Sequence, residues 1–154
     1  MEKSPLVGVI MGSESDRPRM EGVSRVLTEL EIPHEVHVMS AHRNPDRVAE
    51  YCSGAQARGM QVIVAGAGMA AHLAGAAAAH SLLPVIGVPL DGSPLNGLDA
   101  LLATVQMPPE IPVATVAVGN AGAMNAAVLA ARILALGHPD IAVRLAARRD
   151  AVRG

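Results

Sequence analysis

Ser40-Ala41-His42-Arg43 sets a proton carrier directly beside a permanent cation. An imidazole exchanges protons near neutral pH, and a guanidinium fork matches the oxygens of a phosphate or carboxylate. The pair points to acid–base chemistry on an anionic small molecule. It falls between a strand expected over residues 35–39 and a helix expected over residues 45–58. Asn44 is suited to N-cap that helix, with Pro45 at its first position. His42 and Arg43 then stand just outside a helix N-terminus, whose positive end favours anions.

Two further loops carry polar or very small residues after an apolar run. In Gly12-Ser13-Glu14-Ser15-Asp16, the glycine permits a sharp turn. The hydroxyls of Ser13 and Ser15 and the helix-start amides suit an anion, and Asp16 can accept from a sugar hydroxyl. The plainer alternative is that Ser15 or Asp16 caps the next helix. In Gly66-Ala67-Gly68-Met69-Ala70-Ala71-His72-Leu73, two glycines would let a ligand approach the backbone. His72 either reaches that ligand or packs inside a helix, and packing is the favoured reading. The same stretch matches G-x-G-x-x-A, a dinucleotide-binding pattern, with Asp91 further along. That leaves a non-catalytic nucleotide-binding module as a reading of a different class.

Other chemistries find less support. His34 and His37 lie three apart near an expected strand, so they face opposite sides, and no metal-ligand cluster accompanies them. Lys3 is the only lysine, against a P-loop or a Schiff base. Cys52 sits in an expected helix with no cationic neighbour in sequence and reads as packing; alone, it fits a reducing compartment.

The elements that must place these loops are legible from hydropathy. The chain has 154 residues, 51% hydrophobic and 17% charged, with one Tyr and no Phe or Trp. Its net charge of −2 and lack of a basic run make nucleic acid and membranes poor partners. No charged-then-apolar leader is seen, and the longest apolar stretch, residues 121–136, contains Asn125 and Arg132 and falls short of a span. A cytoplasmic protein is expected. Strands are expected at 6–11, 35–39, 62–65, 85–88 and 113–118, and helices at 18–30, 45–58 and 98–105, with an alanine-rich helix after residue 65. Short, continuously apolar strands alternating with helices imply a parallel sheet covered on both faces. The helix over 120–136 is apolar nearly all round, which suggests burial against another subunit. Residues 140–152 read as a separate solvated helix.

Taken together, four motifs in one order are more specific than any alone. They are Met11-Gly12-Ser13-x-Ser15-Asp16, Ser40-Ala41-His42-Arg43-x-Pro45-Asp46, Gly66-Ala67-Gly68-x-Ala70-Ala71-His72-Leu73 and Val105-Gln106-Met107-Pro108. The series resembles the bacterial N5-carboxyaminoimidazole ribonucleotide mutase family of purine biosynthesis, over about residues 7–136. The resemblance implies a flavodoxin-like three-layer α/β/α single domain (1–154, with a core at 7–136 and a C-terminal helix at 139–154). It implies a homo-octamer with sites at subunit junctions, acting on a small ribonucleotide without metal or organic cofactor. By that resemblance His42 is the one acid–base residue, and Ser13, Asp16 and Arg43 hold the ribose phosphate part. Ser40, Gly68 and Leu73 line the site beside the candidates Ser15 and His72, and residues 106–108 reach a neighbour's pocket. Three positions depart from the family pattern: Asn44 for Thr, Met69 for Gly and Ala74 for Pro. A side chain at Met69 is expected to disfavour positive φ and so to reshape or narrow the loop. The Gly-Arg-Ser-Asn pattern of the related animal-type carboxylases is absent, which favours the mutase over direct carboxylation of aminoimidazole ribonucleotide with carbon dioxide.

Overall fold

The computed structural model describes residues 4–154, so Lys3 lies outside the described residues. Strands β1 (Val7–Met11), β2 (His34–Val38), β3 (Val62–Gly68), β4 (Val85–Leu90) and β5 (Ala114–Thr115) form one sheet in the order β2-β1-β3-β4-β5. All four pairings are parallel. The chain leaves β1 for β2 on one side and returns to β3 on the other, so the order reverses between β1 and β3. In such sheets ligands bind outside the carboxyl ends at that reversal.

Alternate side chains of the strands serve two cores. Val7, Val9, Met11, Val62, Val64, Ile86 and Val88 pack with α1 (Arg17–Glu29) and α5 (Asn120–Ala135). Ile10, Ile63, Ala65 and Val85 pack with α2 (Pro45–Gly54) and α3 (Leu73–His80). Each fully buried aliphatic side chain contributes roughly 1.5–3 kcal/mol, so a sheet sealed on both faces is the natural outcome of continuously apolar strands. The flavodoxin-like three-layer architecture is the expected one.

The details differ from the sequence reading in several places. β3 runs on to Gly68 instead of stopping at Ala65, so Gly66 is a strand residue and not part of a ligand loop. β4 continues through Pro89, which stands opposite Ala67 of β3 and whose carbonyl accepts from Gly119 N–H, just before α5, at 2.9 Å. β5 has two residues, because beyond Thr115 only isolated bonds to β4 continue. α2 ends at Gly54, and a short 3-10 turn over Gln56–Arg58 completes the segment before Gly59, at φ 97°, reverses the chain.

The C-terminal helix α6 (Pro139–Arg153) is docked, not separately solvated. Ile141 is buried in the first core, and Leu145 packs beside it. Arg144 Nε donates to the Leu30 carbonyl at 2.6 Å, satisfying an orphan acceptor at the C-terminal end of α1, and Arg148 pairs with Glu29. α5 is thereby flanked within its own chain by α1 and α6, which take part of the apolar surface assigned above to another subunit. Met124, Arg132 and Leu136 stay exposed on it. The single tyrosine lies at the β2 edge of the sheet, over Gly8 near the start of β1 and away from the carboxyl ends of the strands. Tyr51 donates to Glu35 at 2.8 Å, Arg58 lies 4.7 Å over its ring, and His37 meets it edge-on at 5.4 Å. Burial, and then Glu35, push its hydroxyl pKa upward.

α5 starts so close to the preceding segment that a Cβ on Gly122 would lie 1.6 Å from the Ala117 carbonyl oxygen. Backbone atoms cannot yield as a flexible side chain does. Gly122→Ala should therefore cost at least about 2 kcal/mol in urea denaturation, and an unchanged midpoint would contradict this packing.

Candidate active site

Three loops and one rim converge at the carboxyl ends of β1, β2, β3 and β4. They enclose a cavity of about 480 Å³ whose lining includes Ser13, Asp16, Ser40, His42, Arg43, Gly68 and His72. All the site residues expected from the sequence, with Ser15 and Leu73 among them, fall on this one cavity.

The β1 loop is held by its own hydroxyls. Gly12 N–H donates to the Gly66 carbonyl at 3.1 Å, which turns the chain away from the sheet. Ser13 Oγ accepts from Ser15 N–H at 3.3 Å and lies 2.9 Å from Ser15 Oγ. Asp16 occupies the N-cap position of α1 but makes no side-chain capping bond. The capping alternative therefore falls away for Asp16, and its carboxylate remains available on the cavity wall. Burial raises its pKa above the ordinary value, opposed by a backbone bond within the loop and by the charge of Arg19.

In the β2 loop the organising residue is Ser40. Its hydroxyl oxygen accepts from both His42 N–H, at 3.3 Å, and Arg43 N–H, at 3.1 Å, while its carbonyl accepts from Asn44 N–H at 2.8 Å. Asn44 is at the N-cap position of α2 without a side-chain bond, so the expected Asn cap is replaced by this serine-centred turn. The result presents His42 and Arg43 outward. The guanidinium of Arg43 has no hydrogen bond or ion pair among the described residues.

The β3 loop corrects two expectations. His72 does not pack inside a helix: it precedes Leu73 at the N-cap position of α3, exposed, and its Nδ1 lies 2.6 Å from His42 Nε2. The rings meet nearly perpendicular, at 87° with centroids 4.8 Å apart. One nitrogen must donate and the other accept, so His72 fixes the direction in which the catalytic candidate faces. Met69 adopts φ 54°, so the positive φ is kept despite the side chain, which stands 60% exposed over the cavity. The dinucleotide pattern loses its geometry: Gly66 and Gly68 belong to β3, and Asp91 is engaged by Arg19 at 2.7 Å.

Arg19 and Gly92, which also line the cavity, were missed in the sequence. Arg19 lies one helical turn beyond Asp16, a spacing that could have flagged it. Cys52 is buried, its thiol pushed up to about 11 by desolvation, consistent with a packing role. Residues 106–108 do not reach this cavity in their own chain; Met107 packs by Gly75 of α3. No group of three or more metal-ligating side chains occurs among the described residues, and none of their helices is long and apolar enough to cross a membrane.

The profile of a family described as AIR carboxylase matches residues 6–153. The N5-carboxyaminoimidazole ribonucleotide mutase of Pyrococcus horikoshii is 54% identical over 143 residues, covering 93% of this chain and 80% of the relative. That of Bacillus subtilis is 53% identical over 146 residues, with 95% and 90% covered. Among solved structures, Treponema denticola PurE superposes with a TM-score of 0.86 at 27% identity, covering 97% of this chain and 92% of that one.

The left-handed Met69 yields a stability test. A β-branched residue tolerates positive φ poorly, so Met69→Val should lose about 1–2 kcal/mol, whereas Met69→Gly should lose none. Equal unfolding midpoints for the two variants would refute strain at this position.

Proposed function

This chain belongs to the AIR carboxylase family, and we propose that it converts N5-carboxyaminoimidazole ribonucleotide to 4-carboxy-5-aminoimidazole ribonucleotide in purine synthesis. It is an isomerase of the kind for which its relatives above half identity are named. The observation that carries the reading at the level of residues is His42, exposed on the cavity, its backbone N–H bonded to Ser40 and its ring to His72, beside Arg43, whose guanidinium has no partner among the described residues.

The chemistry needs one proton carrier. As the N–carboxylate bond breaks, His42 delivers a proton to the departing nitrogen, and carbon dioxide and aminoimidazole ribonucleotide remain in the cavity. Ring carbon C4 then attacks carbon dioxide, and His42 takes back the proton that C4 still bears. Protons and electrons balance, and the net change is the position of the carboxylate. Arg43, with the hydroxyls of Ser13 and Ser15, binds the phosphate, and Asp16 accepts from the ribose hydroxyls. Ser40, Gly68 and Leu73 shape the wall; the small residues of the β3 loop allow the ring close to the backbone, so that trapped carbon dioxide is not lost to water.

We further read residues 1–154 as one mutase domain that assembles as a cytoplasmic homo-octamer. Leu95, together with Leu98 and Leu102 of α4 (Leu98–Val105), forms a stripe with Val105 at helical spacing, each between 47% and 62% exposed. Such a row supports a subunit contact.

The test is conversion of N5-carboxyaminoimidazole ribonucleotide by the purified protein without ATP; no conversion sinks the mutase reading. Supplying aminoimidazole ribonucleotide with low bicarbonate separates the mutase, which should turn over poorly, from a direct carboxylase. His42→Asn should bind ligand normally yet lose at least about a thousandfold in kcat. Arg43→Ala should raise KM by roughly tenfold or more. Light scattering at micromolar concentration should report eight subunits of 15.8 kDa, and a monomer would overturn the assembly.

A further inference from the structure

The cavity has a second arginine, and its setting differs from that of every other arginine on α1. Arg17 spends its fork on Glu14, donating from Nε at 2.7 Å and from Nη2 at 2.9 Å. Arg19 donates only from Nε, to Asp91 Oδ1 at 2.7 Å, across 72 residues of sequence. Its Nη1 and Nη2 make no hydrogen bond among the described residues, and they flank the edge of the guanidinium remote from Asp91.

The guanidinium stands beside Gly92, where a Cβ would meet Cζ at 3.6 Å, Nη1 at 3.7 Å and Nη2 at 3.8 Å, all ordinary contact distances. Asp91 is itself wedged between two glycines that start helices. Gly97 (φ 85°) precedes α4 and Gly119 (φ 76°) precedes α5, and a Cβ on either would touch Asp91 at 3.2 Å or 3.5 Å. Gly119 meets the Asp91 carboxylate itself, so that charge lies by the start of α5 as well as by Arg19, whereas Gly97 meets the Asp91 Cα. The Arg19 bond, more than any other contact, holds its carboxyl below the usual range. With Nε committed to Asp91, the opposite edge of the guanidinium is the one left to meet a ligand.

We propose that the free Nη1/Nη2 edge of Arg19 is a second anion-binding group of this site, taking an oxyanion of the ribonucleotide that Arg43 does not reach. This rests on the mutase reading, whose ligand carries two anionic groups, a phosphate at one end and a carboxylate at the other. Among the described residues, Asp16 is the only carboxylate on the cavity wall, and the guanidinium groups there are those of Arg19 and Arg43. An end-on pair of N–H groups is the geometry that binds two oxygens at once. Asp91 is the positioning residue that turns this edge toward the cavity.

Calorimetric titration of 4-carboxy-5-aminoimidazole ribonucleotide and of aminoimidazole ribonucleotide, which lacks the carboxylate, tests the assignment. Arg19→Ala should weaken the carboxylated ligand by about tenfold or more, the size of a charge-assisted pair. An equal loss for both ligands assigns Arg19 to the phosphate, and a loss confined to the carboxylated one assigns it to the carboxylate. Arg19→Lys, which keeps the charge but not the fork, should recover part of the loss. Asp91→Asn, whose amide oxygen still accepts from Nε, should stay within about threefold, and Asp91→Ala should fall toward Arg19→Ala. The pair is exposed, so thermal midpoints should hardly move. If the unaltered protein converts substrate while Arg19→Ala binds both ligands within about twofold, the inference fails and the mutase reading stands. If the unaltered protein binds neither ligand, the mutase reading fails and takes this inference with it.

Discussion

The contact on which the rest depends is the seating of Met20 against the bare Cα of Gly66. A Cβ at Gly66 would lie 2.3 Å from the Met20 sulfur, so the Met20 side chain can take this path over the sheet only with glycine at that position. The same glycine pairs with Met11 in the ladder and accepts the Gly12 N–H through its carbonyl. One residue therefore seats the Met20 side chain of α1, closes the β1–β3 ladder and turns the chain toward Ser13. Asp16 and Arg19 reach the cavity because the start of α1 is held there.

The walls of the cavity follow a common rule: side chains hold backbone so that other side chains remain free. Ser40 and Ser13 spend their oxygens on neighbouring N–H groups, and His42 and Arg43 are released to the surface as a consequence. The histidine contact between the β2 and β3 loops is of another kind, since it joins segments on opposite sides of the chain reversal. It ties the acid–base candidate to a wall that it does not share in sequence.

Much of this was legible in the residues, and the parts that were not share a physical cause. Period and hydropathy located every strand and helix, because burial on two faces leaves a continuous apolar run that few other structures require. They misplaced the ends of β3 and β5, since a ladder stops where partners run out, and partners are not local. The Ser13, His42 and Gly66 segments announced themselves by composition, but whether a hydroxyl caps a helix or a neighbouring loop is settled by distances of a few tenths of an ångström. In sequence His72 reads as packing, because its alanine surroundings are those of a helix interior; in the fold it stands just before α3 and meets the β2 loop. Arg19 was invisible because an arginine on a helix face looks like any solvated charge until Asp91, far along the chain, is seen to hold it. The left-handed Met69 was likewise beyond reach, since the sequence shows the side chain but not the turn that overrides its preference.

The isolation of Tyr51 has a consequence for how this protein can be observed. It is the sole tyrosine, in a chain without tryptophan or phenylalanine, and its hydroxyl is committed to Glu35 at the β2 edge of the sheet. Ultraviolet emission from the folded chain therefore comes from a single fluorophore that sits between α2 and β2 and outside the cavity wall. Its brightness registers whether that edge is docked, while the imidazole chromophore of a bound ribonucleotide absorbs against an almost empty background. Folding and ligand occupancy are thus read in separate optical channels, a separation that the amino-acid composition supplies without any added label.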